Sequence, residues 1–156
     1  MLEDGVPSGN GAAHDMKITV KQVRTIDRAF RRRWSNAVEG SGAFLNRRFF
    51  QDRNNIMLAA YVGKDLAGYA WAFVLRHPDR RRPAMFLYSL EVIRPFRRKG
   101  VGKALIRKLK ERARRRRCFE IFVLTEQSNR AAMALYRTTG GRREHRDDVM
   151  FVYANK

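Results

Sequence analysis

Apolar and polar positions along the chain follow two rhythms. A period of two, or a short apolar run between turn residues, predicts strands over Met16–Val20, Ile56–Val62, Leu66–Leu75, Met85–Ile93 and Cys118–Thr125. A period of three to four predicts helices. Ile26, Phe30, Trp34 and Val38 mark one over Thr25–Val38; Phe44, Leu45, Phe49 and Phe50 mark a shorter one over Ala43–Gln51. Val101, Leu105, Leu109 and Ala113 mark a third, running to about Arg116, and a fourth runs from Asn129 to Thr139. The phenylalanines of the second helix read as core rather than as a base-stacking platform.

Turn residues separate these runs. Gly40-Ser41-Gly42 ends the first helix, and Gly63-Lys64-Asp65 closes a hairpin between two strands. His77–Pro83 is a loop with two prolines and three consecutive arginines, and Gly140-Gly141 ends the last helix. Arg142–Tyr153 reads as a last strand or hairpin. Residues 1–15 are polar and Gly-rich and read as a flexible lead, with Met16 a candidate start. The order β-α-α-β-β-β-α-β-α-β over 16–156 makes one α+β domain without internal repeats.

Charge sharpens this picture. The chain of 156 residues has 34 Lys and Arg against 15 Asp and Glu, a formal net charge of +19. Such an excess attracts polyanions: nucleic acid, an anionic membrane or a phosphorylated cofactor. With 44% hydrophobic residues the chain is not disordered by composition. The single cysteine, Cys118, excludes an internal disulfide and a multi-cysteine metal site, and reads as a buried residue at a strand start. His14, His77 and His145 stand apart without metal-ligand spacing, so no metal is expected. No apolar run approaches the ~18–20 residues of a membrane span, and the first residues do not form a signal peptide, so a cytoplasmic location is expected.

The basic residues concentrate where strand meets helix. Between Arg97 and Arg117, 12 of 21 residues are Lys or Arg. The later arginines suit the C-terminus of the helix dipole; Arg97, Arg98 and Lys99 lie at its N-terminus, where the dipole disfavours cations. A bound polyphosphate would compensate them. Gly100 and Gly102 would let the backbone approach it, and the unpaired amides of the first helical turn suit phosphate. The stretch is either a pyrophosphate cradle or a basic surface turn. Downstream, Asn129 is placed to cap the last helix, and Tyr136, about two turns on, shares its face.

Taken together, a strand, Arg97-x-x-Gly100-x-Gly102 opening a helix, another strand, and Asn129-x-x-Ala132-x-x-Leu135-Tyr136 before Gly140 resemble the GNAT superfamily of acetyl-CoA-dependent N-acetyltransferases. The resemblance covers roughly Met16 to Tyr153. It implies a central mixed, mostly antiparallel sheet with flanking helices. It implies that the turn from Arg97 through Arg98, Lys99, Gly100, Val101 and Gly102 to Lys103 holds the CoA pyrophosphate. The strand edge at Leu90 and Val92 would pair with the pantetheine arm, and Asn129 would contact that arm. Tyr136 would protonate the departing thiolate, and Glu91, on the strand entering the turn, would serve as base or base relay. The other reading of Glu91 is a partner for nearby arginines.

A finer resemblance, to small aminoglycoside 3-N-acetyltransferases of the GNAT type, rests on Tyr88-Ser89-Leu90-Glu91-Val92, Val123-Leu124-Thr125-Glu126, Ala134-Leu135-Tyr136-Arg137 and Gly140–Glu144 followed by Val149-Met150-Phe151. The chain departs from those proteins at Ser89, commonly Asp or Glu there. Either Glu91 takes over as base or Ser89 holds a catalytic water. The implied substrate is a small cationic amine, with Glu126, Glu144, Asp147 and Asp148 as acceptor-binding carboxylates. Two other readings stand beside it: a GNAT acting on protein or polyamine amines, with the Arg80–Arg82 loop docking an acidic partner, and a non-enzymatic nucleic-acid-binding protein. No helix-turn-helix, zinc-finger or RNA-binding signature supports specific nucleic-acid recognition. A membrane partner is not expected, and a homodimer stays open.

Overall fold

The computed structural model describes residues 16–38, 44–145 and 152–153. Its element order is β1 (Ile18–Val23), α1 (Arg28–Ala37), α2 (Arg47–Gln51), β2 (Asn55–Val62), β3 (Asp65–Leu75), β4 (Ala84–Val92), a 3-10 turn (Arg94–Phe96), α3 (Val101–Arg115), β5 (Ile121–Val123) and α4 (Arg130–Thr138). The strands form one sheet in the order β1-β2-β3-β4-β5. The first three pairings are antiparallel and β4–β5 is parallel. A parallel pair needs a crossover, and α3 supplies it. The sheet is therefore mixed and mostly antiparallel.

Helices cover both faces. Phe30 and Trp34, one turn apart on α1, pack with Leu45, Phe49 and Phe50 on the side of Met57, Leu66 and Tyr69. Val101, Leu105, Ile106, Leu109 and Ala113 of α3 pack on the opposite side over Ile56, Leu58, Ala70, Met85 and Leu87. Each fully buried Val, Leu, Ile, Met or Phe among them contributes about 1.5–3 kcal/mol. Leu135 and Tyr136 bring α4 to this second face. Ile56–Ala60 of β2 are all buried, because the strand is covered on both sides.

Capping fixes the helix starts. The Asp27 carboxylate accepts from the Phe30 amide at 2.6 Å, so α1 opens at Arg28 and not at Thr25. Asn46 accepts from the Arg48 amide at 3.0 Å and opens α2 at Arg47. Phe44 is 79% exposed, which corrects its expected place in the core beside Leu45, Phe49 and Phe50. β1 runs on to Val23 because the β2 register, Ile18 opposite Val62 through Val23 opposite Met57, carries the pairing past Val20. β5 is shorter than Cys118–Thr125, since its pairing with β4 stops at Leu87 opposite Val123. Cys118 is buried as expected, and burial raises its thiol above the ordinary value. No strand forms over 142–145 or 152–153. The remainder of the expected last strand, the lead at 1–15, Gly40-Ser41-Gly42 and Ala43 lie outside the described residues.

Two irregularities shape the sheet. At the β3–β4 pairing Trp71 lies opposite Ser89 while the next residue, Ala72, lies opposite Leu87, so Tyr88 is an extra, bulged residue. The bulge shifts the phase of β4. Met85 and Leu87 face α3, and beyond it Leu90 and Val92 face α3 as well. Ser89 and Glu91 share the other face with their cross-strand partners Trp71 and Tyr69.

Candidate active site

The α3 entry is built from backbone. Arg98 has φ +62° and Gly100 φ +84°, both left-handed. Gly100 occupies the N-cap position of α3 without a side-chain cap, and the first turn contains no acidic residue. The amides of Arg98 through Lys103 find no acceptor among the described residues. Alternating left-handed positions gather successive amides into a concavity suited to an anion, and the helix dipole adds to it. Arg98, Lys99 and Lys103 are exposed beside these amides. Arg97 differs: its Nε donates to the Val92 carbonyl at 3.0 Å, so it fastens the turn to the end of β4.

Glycines set the packing of this turn. A Cβ at Gly68 would stand 2.7 Å from the Glu91 carbonyl oxygen and 3.0 Å from Val101 Cγ1. Gly68 thus lets the first turn of α3 rest on the sheet at the end of β4. A Cβ at Gly102 would stand 3.1 Å from Leu135 Cδ2, so Gly102 admits α4 against the same turn. At Gly100 the nearest atom would be 3.7 Å away, and the requirement there is its φ, not space.

Beyond the Tyr88 bulge, Ser89 through Val92 have no β5 partner among the described residues. The two parallel strands separate there and leave one edge of β4 free, with Leu90 and Val92 on its α3 side. An extended ligand chain can add to such an edge. Tyr136 is half-buried on the same side; desolvation raises its phenol above the ordinary value, so it is protonated at neutral pH. Its hydroxyl has no partner among the described residues. Asn129 caps α4, its Oδ1 accepting from the Ala132 amide at 3.0 Å, which leaves its Nδ2 donor group available.

On the other face, the exposed Glu91 carboxylate accepts from the Tyr69 hydroxyl at 2.6 Å. Its partner is a tyrosine and not the arginines that the sequence offered. Burial and this bond push the Tyr69 phenol strongly upward. Tyr69 stacks on Trp71 at 5.6 Å and 6°, and Trp71 stacks on Tyr88 at 6.1 Å and 18°. Phe73 and Phe86 meet the Tyr88 ring edge-on, and Phe86 stacks on Phe122. Tyr88 is 60% exposed. An aromatic wall therefore runs from Glu91 across to β5.

The expected acceptor carboxylates do not join this group through any contact in the described residues. Glu126, in the loop after β5, accepts from the Ser128 hydroxyl at 3.2 Å, and Glu144 lies on the exposed segment beyond α4, 4.0 Å from His145. Asp147 and Asp148 lie outside the described residues. Gly68, Tyr69, Trp71 and Tyr88 are the residues that sequence reasoning missed. Tyr69, Trp71 and Phe73 at a period of two in one strand carried a signal for a shared aromatic face.

The raised phenols have a consequence for stability. Between pH ~10 and the native values, the unfolded chain releases protons that Tyr61, Tyr69 and Tyr136 retain in the fold, so stability falls as pH rises. Below pH ~10 that contribution is fully present. Denaturant unfolding of Tyr69→Phe should show this alkaline slope reduced by about 1.4 kcal/mol per pH unit, one proton's worth. An unchanged slope would mean that Tyr69 titrates normally.

The profile of the acetyltransferase (GNAT) family matches residues 23–140 of this sequence. The chain belongs to that family, and it is an acetyl-CoA-dependent N-acetyltransferase. Solved structures share its fold, among them three acetyltransferases. An aminoglycoside acetyltransferase from an uncultured soil metagenomic sample, in complex with sisomicin, is 21% identical, with TM-score 0.71 over 89% of this chain and 97% of that one. A second aminoglycoside acetyltransferase from an uncultured soil metagenomic sample is 27% identical, with TM-score 0.67 over 88% and 100%. An aminoglycoside N-acetyltransferase in complex with CoA is 19% identical, with TM-score 0.70 over 88% and 100%. No curated protein matches the sequence. Among the described residues no helix is long and apolar enough to cross a membrane.

Proposed function

We propose that the protein acetylates a primary amine of an aminoglycoside, at the 3-amino position, by direct attack on acetyl-CoA. The observation that carries the acceptor assignment is the Glu91 carboxylate at the end of the Tyr69–Trp71–Tyr88 wall. Aromatic faces accept the C–H side of sugar and cyclitol rings and attract ammonium groups. A carboxylate beside them selects a cation. The two faces of β4 then divide the work, and their reactants meet where β5 departs.

On the α3 side, the amides of Arg98 to Lys103 hold the CoA pyrophosphate and Arg98, Lys99 and Lys103 add charge, while Arg97, whose own amide donates to the Arg94 carbonyl, anchors the turn. The free edge at Leu90 and Val92 pairs with the pantetheine arm, and Asn129 Nδ2 reaches it from α4. On the aromatic side, Glu91 takes the proton from the amine, directly or through a water held at Ser89. The amine nitrogen bonds to the thioester carbonyl carbon while an amide near Leu90 stabilises the oxyanion. The C–S bond breaks, and Tyr136 gives its proton to the leaving thiolate. Glu126, Glu144, Asp147 and Asp148 supply further contacts to the acceptor's remaining ammonium groups.

Tyr136→Phe tests this division. The variant should lose about 10²-fold in kcat with its acetyl-CoA KM nearly unchanged, measured by release of CoA thiol. Full activity in Tyr136→Phe would remove the tyrosine from the reaction. An acceptor panel of aminoglycosides, polyamines and basic peptides separates the substrate classes, with the aminoglycosides expected to give the highest kcat/KM.

A further inference from the structure

The Arg80–Arg82 loop and the run Arg114–Arg117 find no use in acetyl transfer, yet the fold brings them together. The β3–β4 loop and the C-terminus of α3 meet at one pole of the sheet. Arg82 donates from Nε to the Arg117 carbonyl at 3.0 Å and from Nη2 to the Cys118 carbonyl at 2.9 Å. Arg116 donates to the Arg53 carbonyl, which draws in the turn before β2. Arg80 lies 4.7 Å over the Phe119 ring, and His77 meets that ring edge-on. Three separate segments are thus fixed to one another by arginines. The α3 amide turn lies at the other end of the helix, about 22 Å away for 15 residues.

The helix dipole accounts for cations at the end of α3. It does not account for Arg80–Arg82, which belong to a loop, nor for Arg53. Charge pairing does not account for them either. Among the described residues, Arg115 alone of this group makes an ion pair, with Glu111. All eight cations, Arg53, Arg80–Arg82 and Arg114–Arg117, are arginine and none is lysine. The guanidinium fork matches phosphate oxygens two at a time, and its five donors leave N–H groups free after a carbonyl is held. Between β1, α2 and Arg116 the same pole has a cavity of about 190 Å³, lined by Arg24, Arg53 and Arg116 with Asp52 its one acid.

We propose that this pole binds the phosphate backbone of nucleic acid, at a site separate from acetyl transfer. Several arginines from three segments form a spread array, which suits phosphates repeated along a strand. One small anion would engage only a few of them. Among the described residues of the β3–β4 loop and the α3 C-terminus that carry the array, Leu75 at the end of β3 is the one large apolar residue that is exposed, too little to anchor in a bilayer. Binding of this kind is independent of sequence and strongly salt-dependent.

The test is fluorescence anisotropy of a labelled oligonucleotide with the full chain over a salt series, comparing wild type with Arg80→Ala/Arg81→Ala/Arg114→Ala. These three side chains hold no structural hydrogen bond among the described residues, and circular dichroism checks the fold. The plot of log affinity against log salt should flatten by about 2–3 units in the triple variant, roughly 0.7–0.9 per lost phosphate contact. Its CoA-thiol release should match wild type. Lys99→Ala/Lys103→Ala, at the far end of α3, should keep the wild-type slope. A wild-type slope in the triple variant, an equal loss in the far-end variant, or tighter binding to anionic vesicles or polyglutamate than to the oligonucleotide would overturn the proposal.

Discussion

Glu91→Gln should lose about 10²–10⁴-fold in kcat with little change in acetyl-CoA binding. The substitution keeps size and an acceptor for Tyr69: its hydroxyl, 2.6 Å from the carboxylate, can still donate to the amide oxygen, in a bond weakened by the lost charge. What disappears is the capacity to take a proton. Glu91 stands on the aromatic side of β4, exposed, two residues past Ser89 and beyond the point where β5 separates. Glu91 is the one acid of β4, and an acceptor amine arriving on that side meets it there. Steady-state kinetics across pH at saturating acetyl-CoA would measure the loss, and a less than threefold change would assign the proton to another group. Ser89→Ala distinguishes a held water from direct transfer, with the smaller effect expected if Glu91 acts directly.

Gly100→Val should weaken acetyl-CoA binding by about 100-fold, since a β-branched residue forced into a left-handed position costs of the order of 1–3 kcal/mol. A Cβ at Gly100 would lie 3.7 Å from Ile18 Cδ1, an ordinary contact, so crowding of that atom is not the obstacle. The loss comes from backbone: the turn leaves φ +84°, and the amides at the α3 entry no longer converge. Lys99→Ala should raise the acetyl-CoA KM only a few-fold, because an exposed charge near a helix end contributes about 0.3–1 kcal/mol. Isothermal titration with acetyl-CoA separates the two variants. Normal binding by Gly100→Val would break the link between this turn and the cofactor.

The contrast between those residues shows what the sequence could reveal. The α3 entry was legible because its requirements are local. Glycine at a left-handed position, a helix start and an apolar period of four all lie within a few residues, and the structure places them as expected. The Asn129 cap is local in the same sense. Glu91 was legible as a position but not in its partner, since Tyr69 lies 22 residues away on a strand paired through the sheet. The Tyr88 bulge left a trace: Met85 and Leu87 keep one phase, and Leu90 and Val92 keep the other. A straight strand would turn Leu90 and Val92 to the aromatic side and Glu91 toward α3, whereas the bulge keeps Leu90 and Val92 toward α3 and Glu91 on the aromatic side. The length of β5 was not legible, because it is set by where β4 bulges. The clustering of Arg53, Arg80–Arg82 and Arg114–Arg117 depends on three segments meeting at one pole, which topology alone decides.

The account turns most on what enters along the aromatic wall. Release of CoA thiol from acetyl-CoA, followed with an aminoglycoside such as sisomicin and with mass spectrometry and NMR of the product, addresses it directly. The account predicts amine-dependent release at one equivalent per acetyl transferred, with the acetyl on the 3-amino group, and collapse of that rate in Glu91→Gln. Release indifferent to the amine, or acetylation of basic peptides and polyamines while aminoglycosides stay unmodified, would contradict it.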